Sequence, residues 1–301
     1  MFRNLPRFEF FSPKTLEEAM VLMNQYGQRA KVMAGGTDLI PQMKNGELRP
    51  EAVLSLHQIE DLMEIQDVEE AGLRLGALCR IADIERSRLI QERYPVLSQA
   101  ASVLGSIEIR NRATVGGNLC NAAPSADMAP SLLALGARAI IASGKGERVV
   151  PLEDFFVGPG ETVLGMDEIL IRVEIPPMKP GSAGEYIKLG IRKAMDIAVV
   201  GVAAVLAFGP TEGICAEARL ALGAVSPTPM RAKKAEKGLM GKKIDDGVME
   251  LAAKTASEEA SPLSDIRASQ DYRRGMVRVL TRRAIERAVD KGTCSSTTGQ
   301  R

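Results

Sequence analysis

Thr114-Val115-Gly116-Gly117-Asn118-Leu119-Cys120-Asn121-Ala122-Ala123-Pro124-Ser125-Ala126-Asp127 sets a glycine pair among short polar side chains. Paired glycines let a backbone approach a ligand closely and take φ > 0, and Asn118, Asn121, Ser125 and Asp127 supply hydrogen-bonding groups beside them. The apolar run from Met128 to Ala137 follows at helical spacing, with Asp127 as candidate N-cap and Pro130 in the first turn. The pattern therefore predicts a loop that delivers polar groups at a helix entrance, where a phosphate can sit. Taken alone, it is equally an ordinary glycine-rich turn before a core helix.

A second glycine pair alters that balance. Lys31-Val32-Met33-Ala34 reads as a strand running into Gly35-Gly36-Thr37-Asp38, and Asp38 precedes Leu39-Ile40-Pro41 as Asp127 precedes Met128-Ala129-Pro130. Two such loops could place backbone N–H groups on both sides of a diphosphate, which points to a dinucleotide. Neither loop has the spacing of a G-x-G-x-x-G or Walker motif, and Gly144-Lys145-Gly146 reads as a hairpin turn.

The remaining chain supplies elements around these loops. Phe8–Phe11 is a short strand; Thr15 and Glu18 form a capping box for a helix that Gly27 ends. Gly72–Arg80 alternates as a strand, and 95–104 is helical. Segments 138–142, 148–150 and 168–175 read as antiparallel strands, with Phe155 and Phe156 as core anchors. Pro176-Pro177, Pro180-Gly181 and Gly184 mark a linker. Beyond it, Glu185–Leu189 is a strand, 192–196 a polar turn, and Val199–Phe208, rich in valine, a strand paired with Ala218–Val225. Helices follow over 231–239, 245–258 and 271–289, the last with Tyr272, Met276, Val279, Leu280, Ala284, Ile285 and Ala288 turned inward.

Composition narrows the function. The chain has 301 residues, 45% hydrophobic and 26% charged, enough for two or three domains with proper cores. A net charge of +1 with no basic stripe excludes nucleic acid as the main partner. The apolar runs are too short to span a bilayer, so no membrane insertion is expected, and with no secretory signal pattern the expected compartment is the cytoplasm. The four cysteines are scattered without a CxxC pair and predict neither disulfides nor a metal or iron–sulfur site. His57, the only histidine, has no triad motif around it and reads as structural. No catalytic side chain is expected; redox chemistry would require a bound cofactor.

Val32-Met33-Ala34-Gly35-Gly36-Thr37-Asp38-Leu39 and Ile109-Arg110-Asn111-Arg112-Ala113-Thr114-Val115-Gly116-Gly117, continuing to Asp127, together resemble the two FAD loops of the molybdenum hydroxylase flavoprotein subunits. The resemblance runs from about Phe8 to about Ala288. It implies an α+β fold: a two-lobed FAD-binding domain of the PCMH (vanillyl-alcohol-oxidase-like) type over 1–178, with lobes at about 1–57 and 58–178. A domain like the carbon monoxide dehydrogenase flavoprotein C-terminal domain would follow over 184–290, with a small antiparallel sheet and a helical bundle, and then a disordered tail over 291–301.

It also implies FAD as cofactor, held by Val32 to Leu39 and by Thr114, Val115, Gly116, Gly117, Asn118, Asn121 and Asp127. Leu170 and Lys188 match family positions that contact FAD, and Met195 to Ala198 match the segment near the flavin's reactive edge. The implied partners are a large molybdopterin-binding subunit and a small 2Fe–2S subunit, with NAD or another molecule as electron acceptor. The residues themselves leave two alternatives open: a self-contained flavin reductase and a non-enzymatic scaffold.

Overall fold

The computed structural model describes residues 4–192, 194–209 and 213–297, with side chains through residue 292. The first lobe comprises β1 (Glu9–Phe11), α1 (Leu16–Tyr26), β2 (Ala30–Met33), α2 (Leu39–Asn45) and β3 (Ala52–Ser55). Thr15 caps α1 by accepting from the Glu18 N–H at 3.2 Å, as the capping box requires. The three strands form a parallel sheet in the order β1-β3-β2. Parallel pairing aligns the C-terminal ends of β2 and β3, so whatever follows each strand meets at one edge.

The second lobe begins with β4 (Ile65–Val68) and β5 (Gly72–Gly76). Six helices follow: α3 (Ile81–Arg86), α4 (Arg88–Arg93), α5 (Pro95–Ser102), α6 (Ile107–Arg110), α7 (Val115–Cys120) and α8 (Met128–Ala134). It closes with β6 (Arg138–Ser143), β7 (Gly146–Pro151), the small hairpin β8 (Phe156–Gly158) and β9 (Glu161–Thr162), and β10 (Ile169–Ile175). An antiparallel sheet runs β4-β5-β10-β6-β7. Strand alternation explains how it joins the two lobes. Ala139 and Ile141 of β6 enter the helical core of the second lobe, while Ile140 and Ala142 face the core of the first, so β6 is buried on both sides. Phe155 and Phe156 pack edge-on at 5.4 Å in the larger core. Helix α8 is buried all round, including Ser131, whose hydroxyl donates to the Val96 carbonyl.

Past the proline-rich linker, β11 (Ser182–Leu189), β12 (Val200–Phe208), β13 (Cys215–Gly223) and β14 (Met230–Arg231) form an antiparallel meander. The valine-rich run is thus a strand, with Val200, Val202, Ala204 and Leu206 in the core beneath α9 (Lys233–Leu239), α10 (Asp246–Glu259) and α11 (Gln270–Thr297).

Two expectations for α11 need correction. Tyr272 is half exposed, and Arg273 is the residue turned inward; its guanidinium donates to the Val199 and Ala224 carbonyls and to Asp265, satisfying strand-edge acceptors that a tyrosine could not reach together. The helix also runs past Val289 to Thr297, over the start of the tail expected from residue 291. Residues 298–301 lie outside the described residues.

Candidate cofactor site

The two glycine pairs meet, with different local structures. In the first, β2 leads into an irregular turn whose Gly36 has φ +72°, a left-handed conformation that glycine takes without strain. Among the described residues, no acceptor receives the N–H groups of Gly35, Gly36, Thr37 or Asp38. Four consecutive unpaired donors around a left-handed glycine form a concavity for an anion.

The second pair departs from the expected loop. Gly116 and Gly117 lie inside α7, and all its leading N–H groups are satisfied within the protein. Val115 donates to Cys79, Gly116 to Ala77, Gly117 to Thr114 Oγ1 at 3.0 Å, and Asn118 to the Thr114 carbonyl. Thr114 is a helix cap, and the four N–H groups from Val115 to Asn118 are not free to hold a phosphate. It presents side chains: Asn118 Oδ1 is buried with no hydrogen-bond partner among the described residues. An orphaned buried amide oxygen of this kind marks a place where a ligand's donor belongs.

The glycines do two separate jobs. A Cβ on Gly35 would lie 2.0 Å from the Arg112 carbonyl oxygen, and one on Gly116 would lie 2.6 Å from that of Ala77. These two let backbone pack on backbone. At Gly117 the nearest atoms would be Thr114 Oγ1 at 3.0 Å and Ala34 Cβ at 3.8 Å, so its missing side chain leaves open the gap between the two segments. Asn121 closes that gap at one end, donating to Asp38 Oδ1 at 3.3 Å.

Neither aspartate caps its helix through its side chain, contrary to one reading of the sequence. Asp38 is exposed and held by Asn121 and Thr37. Asp127 is buried and accepts from Lys188 Nζ at 2.8 Å and from the Tyr186 hydroxyl at 3.0 Å. Burial pushes the Asp127 carboxyl above the usual carboxylate range, a shift the Lys188 charge opposes. The same desolvation, reinforced by Asp127, holds the Tyr186 phenol well above its ordinary value.

Lys188 is neither a surface lysine nor an uncommitted cation. Its other two protons go to the Val103 carbonyl at 3.1 Å and the Asp196 carbonyl at 2.9 Å. One ammonium thus ties the segment before α8, the end of α5 and the turn at residues 194–196. In that turn Met195 takes φ +51° and is half exposed, its N–H donating to the Gly105 carbonyl.

Leu170 sits apart from this polar cluster, its side chain in the core of the second lobe beside a register shift in β10. Val32 is exposed on β2, and Met33 and Leu39 are half-buried at the two ends of the first turn. The Cys120 thiol is pushed up to about 12 by burial, which removes it as a nucleophile.

One residue that sequence reading set aside belongs here. His57 lies just beyond β3, and parallel pairing puts that position beside Ala34. Its pKa is lowered by burial and then by the Arg112 charge, with the Ala34 backbone opposing. Its Nε2 is buried without a partner among the described residues. The parallel pairing of β2 and β3 was the missing signal; periodicity cannot reveal it.

The residues present fit a dinucleotide such as FAD: a nest of free N–H donors, an open slot at Gly117, and the orphaned acceptors Asn118 Oδ1 and His57 Nε2 facing no protein donor. Comparison with known proteins agrees. Residues 6–178 match the family described as FAD binding domain in molybdopterin dehydrogenase, and residues 185–288 match the CO dehydrogenase flavoprotein C-terminal domain. The carbon monoxide dehydrogenase medium chain of Hydrogenophaga pseudoflava is 32% identical, across 94% of this chain and 97% of its own. The putative xanthine dehydrogenase FAD-binding subunit of Escherichia coli is 34% identical, across 91% and 94%. A solved structure, the carbon monoxide dehydrogenase of Hydrogenophaga pseudoflava that lacks the Mo-pyranopterin moiety of the molybdenum cofactor, superposes with a TM-score of 0.91 at 32% identity, covering 95% of this chain and 98% of that one. With both of its domains matched along most of its length, the chain belongs to the family of FAD-binding flavoprotein subunits of molybdenum hydroxylases.

Proposed function

We propose that this chain is the electron-transferring flavoprotein of a molybdenum hydroxylase complex, taking electrons from 2Fe–2S clusters on a small partner subunit and passing them to NAD or another acceptor. A large molybdopterin-binding subunit would hold the substrate. The reading is supported by the family to which both domains belong. No described helix is long and apolar enough to cross a membrane, and we assign the complex to the cytoplasm.

The observation that carries the reading is the row of free N–H groups at Gly35, Gly36, Thr37 and Asp38, set across an open slot from Gly117 and Asn118. The free donors would hold the diphosphate through backbone groups already in place. Val32, Met33, Ala34 and Leu39 shape the first side of the site, and Thr114, Val115 and Gly116 fix the second. Asn118 and His57 accept from hydroxyl or amine groups of the cofactor, and Asn121 and Asp38 keep the two sides in register. Asp127 and Lys188 order the site's far wall, and Leu170 supports it from the core. Bound FAD supplies the ability to accept electrons singly and release them as a pair.

The test is rapid mixing of substrate with the purified complex, following the iron–sulfur and flavin absorbances together. Reduction of the clusters followed by flavin bleaching supports the assignment. Turnover by the isolated chain with a nicotinamide and a small substrate would replace it with a self-contained reductase.

A further inference from the structure

The free N–H groups of the first turn have a cationic neighbour that no role described so far uses. Arg112 immediately precedes Ala113 and Thr114, and its carbonyl oxygen sits where a Gly35 Cβ would be, so its backbone touches the turn directly. Its side chain is exposed, and among the described residues it has neither an ion pair nor a hydrogen bond. The nearby arginines differ: Arg110 pairs with Glu85 and Arg80 with Asp83. The charged and titratable groups around the turn are His57, whose pKa the Arg112 charge helps to lower, and Asp38, already bonded to Asn121 and Thr37.

We propose that Arg112 is a positioning residue for FAD, its guanidinium pairing with the cofactor diphosphate held by the free N–H groups of Gly35 to Asp38. The inference rests on the FAD reading given above. A dianion in that turn receives neutral donors from the backbone, and the fork of Arg112 adds the formal charge they lack. Being exposed, Arg112 can swing onto the phosphates after the backbone has engaged them.

The experiment titrates FAD into deflavinated full-length chain, following flavin fluorescence at low and high NaCl, for wild type, Arg112→Lys and Arg112→Met. Arg112→Met should bind FAD about tenfold more weakly at low salt. It should also lose most of the salt dependence shown by the wild type, because the screened partner is gone. Arg112→Lys should recover part of the affinity and the salt dependence. Unchanged affinity in Arg112→Met overturns the proposal while leaving the FAD reading intact, and so does weakened affinity with unchanged salt dependence. A wild-type chain that binds no FAD under any condition overturns both.

Discussion

The Asp127 carboxylate and the Lys188 ammonium meet at 2.8 Å, each with less than a tenth of its side chain exposed. Asp127 ends the Thr114 to Asp127 segment of the second lobe, and Lys188 lies on the first strand of the C-terminal sheet, so this pair fastens the two domains at the edge of the proposed site. Breaking one side of a buried pair leaves the other charge without water or partner. Lys188→Met should therefore lower stability by about 3–5 kcal/mol, whereas Asp127→Asn with Lys188→Met should recover much of the loss. Urea unfolding of the two variants checks this, and equal destabilisation would show that the pair is not coupled.

Gly35 and Gly117 should fail in different ways. Gly35→Ala forces a methyl group into the Arg112 carbonyl and should lower the melting temperature along with flavin content. At Gly117 an added methyl meets no backbone atom, only Thr114 Oγ1 at 3.0 Å and Ala34 Cβ at 3.8 Å, so Gly117→Ala should lose flavin with a smaller fall in melting temperature than Gly35→Ala. Circular dichroism melts beside the 450 nm flavin band separate the two cases.

A third prediction concerns acid. Glu185 on β11 is buried and accepts from Gln99 of α5 and from Arg287 and Lys291 of α11. Burial alone would raise its pKa, but these bonds hold it below the ordinary carboxylate value. A depressed folded pKa means that the contribution is present above the unfolded value, about 4.3, and is lost as pH falls through the folded one. Glu185→Gln should melt lower than wild type at pH 7, with the difference shrinking below about pH 4. A constant difference from pH 7 to pH 3 would contradict this origin.

Much of the architecture was legible because it follows from local chemistry. The Thr15 cap, the Gly144 to Gly146 turn and the alternation in β5 are each set by neighbours in sequence. The valine-rich run resolved as a strand because branched side chains fill a pleated core face better than a helix groove. What could not be read depended on distant segments. Thr114 to Cys120 is a helix because Ala77 and Cys79 offer carbonyls to its first N–H groups, and His57 reaches the site through the pairing of β2 with β3. Lys188 is read from the resemblance as a position that contacts FAD, and its bonds to Asp127, Val103 and Asp196 could not be read from its own strand. Arg273 displaced Tyr272 from the inner face of α11 for the same reason, since its acceptors come from two other strands' ends.

In the proposed site FAD lies between the turn at Gly35 to Asp38 and the helix start at Gly117 and Asn118. The direct measurement is the FAD released on denaturation per chain, comparing wild type with Gly117→Val after both pass the same circular dichroism check. Close to one FAD per wild-type chain is expected, and almost none for Gly117→Val, whose branched side chain fills the slot. Equal flavin content in two folded proteins would contradict it.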